Sequence, residues 1–583
     1  MRRAVALAVA AVAAVALSPS AATAAGAGIS SAQATAIASR LALVRREERT
    51  HPGAFSQVSS PTAGEWQVAF YSHDQEFVQV LVSTASGRVI GQYTGIQIAW
   101  TMARGYPGAF GRDVNALWIW LPLCLLFLAP FFDWRTPLRL LNLDLLVLIS
   151  LSVSLAFFNH ADIDASVPLV YPPLLYLLAR LLWLVRRGAP RPPPLRLNFR
   201  AGWLALGLVV LIAFRIGLNV INSNVIDVGY ANVVGAHKVL DGQALYGGFP
   251  TDISRGDTYG PVSYEAYAPF VAVWGFSGSW DDLPAAHAAA IFFDLLTIAL
   301  LFALGWRIRG PSTGLLLAYA WAAFPFTAFA LESNSNDGLV AALVLAALLV
   351  AGSPPARGAF AALAGLAKFA PLALAPFLAT DRLRERGARG LAGFVAAFVA
   401  VAALASIPAL AHNSLSTIFS RTVRYQADRS APFSIWGLYG GLHAEQVAAQ
   451  ALAVALALGL ALVPRRDDVV GLCAGAASIL IAVQLGVSYW FYLYIPWFFA
   501  PAIVALLGVY EAPKPGPRSV WMRPRASSCA AESGAGPAVT RAARLRGPAW
   551  RRLAGGLAAV VGGESERPGA VAGAQGAGGG MRM

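Results

Sequence analysis

Apolar runs separated by short charged segments fill most of the chain beyond residue 113. The runs with the length of a bilayer crossing, or close to it, are 117–132, 140–158, 167–185, 201–220, 285–305, 314–330, 338–350, 391–410, 447–463, 469–485 and 492–509. A helix satisfies all of its backbone polar groups internally, so runs of this kind predict transmembrane helices. The pattern predicts an all-α polytopic membrane protein with about 11 crossings.

One further apolar run, 360–380, contains Pro371 at its centre and has basic residues on both flanks. Proline removes a backbone donor and breaks a helix. Broken backbone at membrane depth is tolerated only inside protein or at a cavity. This run therefore predicts a split pair of half-helices that enters and leaves the membrane from one side.

The distribution of Lys and Arg orients the crossings, because positive residues flank transmembrane helices on the cytoplasmic side. Arg307 and Arg309 are cytoplasmic only if the short run 264–274 does not cross. That run contains Glu265 and Pro269, and we expect it to lie in the membrane interface. Three polar segments then share the outer side, 221–261, 332–337 and 411–446, where they can converge on one cavity.

The N-terminal part has a different pattern. Two arginines, an apolar stretch over 4–17 and the small residues 22–24 predict a signal peptide at 1–25. An uncleaved membrane anchor is the alternative, and either one exports the residues that follow. Residues 26–112 then form an exported α+β module, with a predicted helix over 31–44 and alternating strands over 66–71, 77–83 and 89–93. Its Trp-x-Val-x-Phe strand at Trp66 and its Ser-Gly-Arg-Val hairpin at Ser86 resemble PepSY-like domains.

Composition agrees with a multi-pass protein of the plasma (inner) membrane, since 57% of residues are hydrophobic. The net charge of +14 comes from short loops and from the tail 511–583, which carries eleven basic and four acidic residues. The tail is poor in large apolar residues and is predicted to be a disordered cytoplasmic segment. Basic residues without interleaved aromatic residues exclude a nucleic-acid partner. The three cysteines suggest neither a disulfide framework nor a metal site.

The chemistry-bearing residues cluster in the three outer polar segments. Asp227 follows the crossing 201–220 directly and begins a predicted helix over 225–240, with Tyr230 on the same face. A carboxylate there is either a helix cap or a general base, and we interpret Asp227 as the base. Candidate binding residues are Tyr230, Asp241, Tyr246, Asp257, Tyr259, Glu332, Asp337, Lys368, Arg421, Arg424 and Arg429.

Charged residues inside apolar runs indicate function by default, because burying them in a membrane is costly. Arg215 and Lys368 are interpreted as functional, and Arg180 with Asp294 as a structural pair or as snorkelling residues. Arginines in the third outer segment either bind the phosphate of a lipid carrier or anchor the chain to lipid headgroups. The aromatic run 489–492 and Trp497 are interpreted as an interface belt.

Residues 201–509 resemble GT-C superfamily glycosyltransferases, most closely the polyprenyl-phosphate-mannose-dependent mannosyltransferases. The motifs that carry the resemblance are Asp227-x-x-Tyr230, Asp241-Gly242-x-x-Leu245-Tyr246, Tyr259-Gly260-Pro261, Gly365-Leu366-Ala367-Lys368-x-x-Pro371 and Ser434-Ile435-Trp436-Gly437. The family often has Tyr-Pro-Pro where this chain has Tyr259-Gly260-Pro261. Residues 113–200 lie outside the resemblance and are expected to form three accessory transmembrane helices beside a catalytic region at 201–510.

The resemblance implies an inverting transfer of a sugar, mannose, from a polyprenyl-phosphate donor to an extracytoplasmic lipid, glycan or protein acceptor. Asp227 takes the position of the general base, and membrane lipids are expected partners. No cofactor is implied. No residue cluster demands a metal, although metal use varies within the superfamily and a divalent metal is not excluded.

Two other functions are compatible with parts of the sequence. A transporter or flippase of lipid-linked substrates also contains intramembrane charges and a broken helix. It would need polar access from both leaflets, whereas the long polar segments here share one side. A non-catalytic membrane assembly factor, with the exported module as its working part, is the third interpretation.

Overall fold

The computed structural model describes residues 28–511 except 61–63, 74, 105–109, 188–192, 382, 430, 464–465 and 467. The predicted signal peptide and the tail beyond Glu511, with Cys529, lie outside the described residues. Cys124 and Cys473 are buried free thiols.

The N-terminal module is a four-stranded antiparallel sheet in the order β1-β2-β3-β4, preceded by two helices. The strands are β1 Phe55–Ser59, β2 Glu65–Ser72, β3 Gln75–Ser83 and β4 Val89–Thr94. Buried Val68, Val78 and Val80 pack against Ala34 and Ala38 of the first helix. Three strands were predicted and are confirmed. The single predicted helix over 31–44 is wrong, because the backbone breaks at Arg40 and Leu41 into two helices.

The rest of the described chain is almost entirely helical. In chain order the helices are α1 Ser31–Ser39, α2 Ala42–Thr50, α3 Ile96–Ala99, α4 Leu117–Leu128, α5 Leu140–Asn159, α6 Ile163–Leu169, α7 Tyr171–Arg186, α8 Ala201–Ile221, α9 Asp227–Leu240, α10 Pro261–Glu265, α11 Ala268–Trp274, α12 Pro284–Arg309, α13 Pro311–Ala323, α14 Pro325–Glu332, α15 Asp337–Leu349, α16 Pro354–Ala367, α17 Ala375–Ala379, α18 Leu383–Ala405, α19 Ile407–His412, α20 Leu415–Phe419, α21 Tyr425–Asp428, α22 Ile435–Leu438, α23 His443–Leu462, α24 Val469–Gly486 and α25 Ile495–Gly508.

Seven helices in the described residues are long and apolar enough to cross a membrane, and the bent pair α13–α14 makes eight if it is one span. The seven are α5, α6 with α7 (Ile163–Arg186), α8, α12, the Arg386–Ala405 part of α18, α23 and α24. Helices 117–128, 337–349, 370–379 and 492–508 are apolar but shorter. A mostly helical membrane protein with a small N-terminal sheet is confirmed, whereas the number of crossings remains a prediction.

The apolar run 360–380 breaks where its proline requires it. Helix α16 ends at Ala367, and Lys368 is extended with φ −142° and ψ 142°. The ring of Pro371 would meet the carbonyl of Ala367 if the helix continued. A short 3₁₀ turn, Ala370–Leu374, resumes the chain. The break releases the Lys368 side chain from the helix surface.

Two of the buried ion pairs among the described residues contain Arg180 or Asp294, and neither is the predicted Arg180–Asp294 pair. Arg180 bonds Asp144 of α5, with Nε 3.0 Å from Oδ1. Arg215 bonds Asp294 of α12, with its terminal nitrogen 2.6 Å from Oδ1. The interpretation of Arg215 as a functional residue is therefore wrong, because its partners are all structural groups of neighbouring helices.

Candidate functional site

A cavity of about 390 Å³ is lined by residues of the three polar segments 221–261, 332–337 and 411–446 and by residues of α23, α24 and α25. This volume lies in the range of small-molecule binding sites. All three polar segments contribute to its wall, through Asp227, Tyr259, Asp337 and Arg429, and Lys368 lies at the helix break. The remaining polar and aromatic lining includes Gln426, Gln450, Gln484, Ser488, Tyr489, Phe491, Tyr494 and Trp497.

Asp227 is the first residue of α9 and is held close to the loop after α14. The backbone N–H of Ile226 donates to the carbonyl of Ser333 at 3.3 Å. Gly229 permits this approach, since a Cβ there would lie 2.3 Å from the carbonyl oxygen of Asn334. The first turn of α9 is consequently fixed against the loop, and its N-terminal carboxylate faces the cavity.

The Asp227 carboxylate can be reached from the cavity although protein surrounds it. Burial raises the pKa of Asp227 above its ordinary value, and Arg429, the Val228 N–H and Lys368 act in the opposite direction. Within the described residues no cation forms an ion pair with Asp227. A carboxylate with a raised pKa and no ion pair is suited to accept a proton.

Asp337 lies in the same cavity, and one of its carboxylate oxygens, Oδ1, is bonded to two neighbouring side chains. Lys368 Nζ lies 2.6 Å from its Oδ1, and Trp497 Nε1 donates to the same oxygen at 2.9 Å. The Lys368 ammonium also lies 5.0 to 5.9 Å from the ring centres of Trp497, Tyr494 and Tyr259. Lys368 is therefore held in an aromatic enclosure with its charge balanced by Asp337.

Tyr259 lines the same cavity as Asp227. It precedes Gly260, where a Cβ would lie 1.9 Å from the carbonyl oxygen of Leu366. Glycine at this position therefore lets the Tyr259 segment lie against the end of α16. Burial, together with the Asp227 carboxylate, raises the pKa of Tyr259 well above its ordinary value. Its hydroxyl keeps its proton and can donate a hydrogen bond.

Arg429 supplies the second cation of the cavity. Its guanidinium lies 3.7 Å from the ring centre of Tyr489 and 5.6 Å from that of Trp100. Within the described part of the chain, its buried Nε–H has no hydrogen-bond acceptor. A stacked guanidinium with an unused donor is suited to binding an anion such as a phosphate.

Four other predicted residues of the first polar segment point away from the cavity. The Tyr230 hydroxyl donates to Asp252 at 3.2 Å, and its ring packs on Trp280, so it does not share the face of Asp227. Asp241 is exposed beside His237. Tyr246 is buried and its hydroxyl donates to the carbonyl of Tyr259. Buried Asp257 accepts from the Gly247 N–H and from Arg421.

The remaining predicted residues also lie outside the cavity lining. Arg421 lies 3.2 Å from Asp257, and exposed Arg424 pairs with Asp428 at 3.3 Å. Glu332 is fully buried, and neither carboxylate oxygen has a hydrogen-bond partner among the described residues. Of the three arginines in this segment, only Arg429 lines the cavity.

The sequence interpretation missed the aromatic wall of the cavity. The run 489–492 and Trp497 were interpreted as an interface belt, which is wrong because Trp490, Phe491, Tyr492 and Trp497 are at most 4% exposed. Gln484 could have indicated this, since an amide inside an apolar helix needs buried partners. It donates to the carbonyl of Tyr494 and accepts from Trp490 Nε1.

Metal ligands are not grouped in this part of the molecule. Among the described residues, no three His, Cys, Asp or Glu side chains lie close enough together to hold a metal ion. The chemistry available in the cavity is that of one unpaired carboxylate, one carboxylate–ammonium pair, one guanidinium and several tyrosines.

Residues 258–488 match the model of glycosyltransferase family 87. The chain is accordingly a membrane glycosyltransferase. The matched residues contain Tyr259, Asp337, Lys368 and Arg429, whereas Asp227 precedes them and Trp497 follows them. No curated protein and no solved structure matches the chain.

Proposed function

We propose that this glycosyltransferase moves a sugar, mannose, from a polyprenyl-phosphate carrier to an extracytoplasmic lipid, glycan or protein acceptor. The proposal rests on the presence of a carboxylate and a guanidinium in the same cavity. Asp227 is a carboxylate without an ion pair, and Arg429 is a cation with an unused N–H, each within the described residues. An acceptor hydroxyl and a donor phosphate need these two partners.

The proposed reaction is a single displacement with inversion at the anomeric carbon. Asp227 takes the proton of the acceptor hydroxyl while the acceptor oxygen bonds to the anomeric carbon. The bond from that carbon to the phosphate oxygen breaks, and its electron pair stays on the phosphate. The products are the glycosylated acceptor, polyprenyl phosphate and a protonated Asp227, which releases its proton to solvent.

Arg429 is assigned to the leaving phosphate. The phosphate gains one negative charge as the bond breaks, so a cation next to it stabilises the transition state more than the bound donor. The guanidinium is a better partner than the Lys368 ammonium, because Asp337 already lies 2.6 Å from Lys368. Lys368 is expected to hold Asp337 in place. Its positive charge is also expected to stabilise the leaving phosphate electrostatically without contacting it.

The proposed location is the plasma (inner) membrane, with the module and the cavity on the extracytoplasmic side and the tail in the cytoplasm. This orientation follows the positive flanks of the crossings. A lipid-borne donor reaches such a cavity laterally from the bilayer, so its polyprenyl chain never has to leave the hydrocarbon.

Replacement of Asp227 tests the proposal. Asp227→Asn keeps the shape of the side chain but removes its basicity, so we expect transfer to fall about 100- to 10,000-fold. Sugar transfer from polyprenyl-phosphate mannose is measured with purified protein in lipid nanodiscs. The matched control is Asp281→Asn, because Asp281 is exposed in the loop before α12. It should transfer at the wild-type rate.

Normal turnover by Asp227→Asn, within about threefold of the wild type, would remove Asp227 as the base. The affinity for polyprenyl phosphate tests separately whether Arg429 binds the donor phosphate. We expect Arg429→Ala to bind polyprenyl phosphate about 10- to 100-fold more weakly, with a Kd that can still be measured, and Asp227→Asn to bind it as the wild type does. Equal binding by wild type and Arg429→Ala would reject the phosphate assignment.

A further inference from the structure

The segment that follows the module sheet, 96–104, reaches from the module to the cavity wall. Arg104 attaches it to the sheet, since its terminal nitrogen donates to Gln79 of β3 at 2.6 Å and its guanidinium lies 4.2 Å from the Tyr93 ring centre of β4. Arg104 Nε also donates to the carbonyl of Gln97 at 2.8 Å. The segment therefore starts directly after β4 and is bonded back to the sheet by Arg104 at its other end.

Trp100 lies between these attachments and contacts the residues around Arg429. Its ring meets Phe433 edge-on at 5.3 Å and lies 5.9 Å from Tyr489. The Arg429 guanidinium, 5.6 Å from the Trp100 ring and 3.7 Å from the Tyr489 ring, is therefore flanked by two aromatic side chains. One comes from the helical domain and the other from the module segment.

We propose that Trp100 is a positioning residue, through which the exported module sets the affinity of the cavity for the phosphate of the donor. The inference rests on the proposed function, because it acts through Arg429. A free arginine side chain adopts many rotamers. When a ligand restricts it to one of them, the lost conformational entropy weakens binding. Two flanking rings hold the guanidinium before the phosphate arrives, so less freedom is lost when the phosphate binds.

Trp100 lies outside the matched residues 258–488. The contact is therefore supplied by a part of this chain that the family match does not cover. Arg104 has no contact with the cavity lining among the described residues, and it acts on the site only by holding the segment that carries Trp100.

The test compares Trp100→Ala and Trp100→Phe with the wild type in nanodiscs. We expect Trp100→Ala to raise the Kd for polyprenyl phosphate and the KM for polyprenyl-phosphate mannose about 3- to 30-fold, the range for one cation–π contact. The kcat should change by less than about threefold, because the base and the phosphate partner remain. Trp100→Phe retains a ring and should restore most of the affinity.

Trp134→Ala is the matched control, because Trp134 is 71% exposed and distant in sequence from the module segment. It should bind polyprenyl phosphate as the wild type does. Arg104→Ala is expected to change Kd in the same direction as Trp100→Ala and to add nothing when Trp100 is already alanine. Additive effects of these two substitutions would contradict the coupling of the module to Arg429.

A double-variant comparison separates this inference from the proposed function. If Trp100 acts through Arg429, Trp100→Ala changes Kd in the wild-type background and has no effect in an Arg429→Ala background. Weaker binding in Arg429→Ala with unchanged binding in Trp100→Ala would overturn the inference and leave the proposed function intact. Unchanged binding in Arg429→Ala would overturn both. A Trp100→Ala variant that loses kcat and thermal stability at constant Kd would show a merely structural role and overturn the inference.

Discussion

Asp227 and Asp337 are two carboxylates of one cavity with different surroundings. Asp337 is bonded to the Lys368 ammonium and to the Trp497 indole, which hold it as a charged structural group. Asp227 has the end of a helix behind it and only longer-range cations in front. The same side chain is therefore bound to a cation at one position, whereas at the other it is the proton acceptor of the proposed reaction.

The pH dependence of transfer should reveal the ionisation of Asp227. A base works only when deprotonated, so kcat/KM falls as pH drops through its pKa. Burial raises the pKa of Asp227, and this acid limb should lie above the pH at which an ordinary aspartate, pKa about 3.9, titrates. The measurement is a kcat/KM profile for the wild type in nanodiscs.

The control for this profile is the residual activity of Asp227→Asn. It should have lost the acid limb, because asparagine does not titrate. An acid limb that survives the substitution would belong to another group and would contradict the role of Asp227 as base.

At the residue level, the sequence identified the charged residues of the cavity but could not separate them from charged residues that lie outside it. Lys368 was recognisable because burying an ammonium group inside an apolar run is costly and therefore indicates a functional or structural role. Arg429 was indistinguishable from Arg421 and Arg424. The partner that occupies Arg421 is Asp257, from a different polar segment, and such contacts between distant segments are not visible in a linear pattern.

Among the elements, α13 and α14 meet at a bend of about 60°, and Arg215 donates hydrogen bonds on both sides of it. Pro325 has no N–H, so the carbonyl of Trp321 loses its helical partner. Thr327 Oγ1 donates to that carbonyl at 2.6 Å, and Arg215 donates to the carbonyls of Ala322 and Thr327 at 3.2 and 3.0 Å. Arg215 thus supplies hydrogen-bond donors to two buried backbone carbonyls next to the bend.

Substitution of Arg215 should destabilise the helical domain. Arg215→Met leaves the Asp294 carboxylate buried without its cation, and we expect the free energy of unfolding to fall by about 3–5 kcal/mol. Thermal denaturation in detergent measures the change. Arg186→Met is the control, since Arg186 is exposed at the end of α7.

The double variant Arg215→Met with Asp294→Leu distinguishes the ion pair from the carbonyl contacts. Removal of both charges takes away the unpaired carboxylate, so it should recover part of the loss. A double variant less stable than Arg215→Met would mean that the pair does not account for the destabilisation.

Elements were predictable where periodicity and length determine them. The bounds of α5, α8 and α24 differ from the predicted runs by one residue, because a long apolar run in a membrane has no alternative to a helix. The apolar run 314–330 predicts one crossing and gives no sign of the bend at Pro325. A proline alone does not specify a bend, since its outcome depends on groups such as Arg215 from another helix.

Over the whole molecule, the orientation in the membrane depends on whether α11 crosses. Its seven residues extend about 10 Å, a third of the hydrocarbon thickness, so α11 alone cannot span. Helix α12, which follows, has 26 residues and ends at Arg309. If α11 lies in the interface, the loop before α12 is outside and Arg307 is in the cytoplasm.

Cysteine labelling of intact cells tests this orientation. In a Cys529→Ser background, a membrane-impermeant maleimide should label Asp281→Cys and should not label Arg307→Cys until the cells are permeabilised. Both side chains are exposed, so accessibility in the protein itself does not limit either reaction. Labelling of Arg307→Cys in intact cells would contradict the assigned sides and the shared outer location of the polar segments.

The short link between α8 and Asp227 determines how such an enzyme meets its substrates. Only five residues, 222–226, separate the spanning helix from the carboxylate, and the N–H groups of Asn224 and Ile226 are bonded to the carbonyls of Glu332 and Ser333. Asp227 is thus held at a fixed distance from the end of α8, and its encounters with the proposed lipid donor occur in the two dimensions of the bilayer. Turnover should then follow the mole fraction of donor in the bilayer: inert phospholipid added at constant total donor slows it, whereas diluting the vesicles in buffer does not.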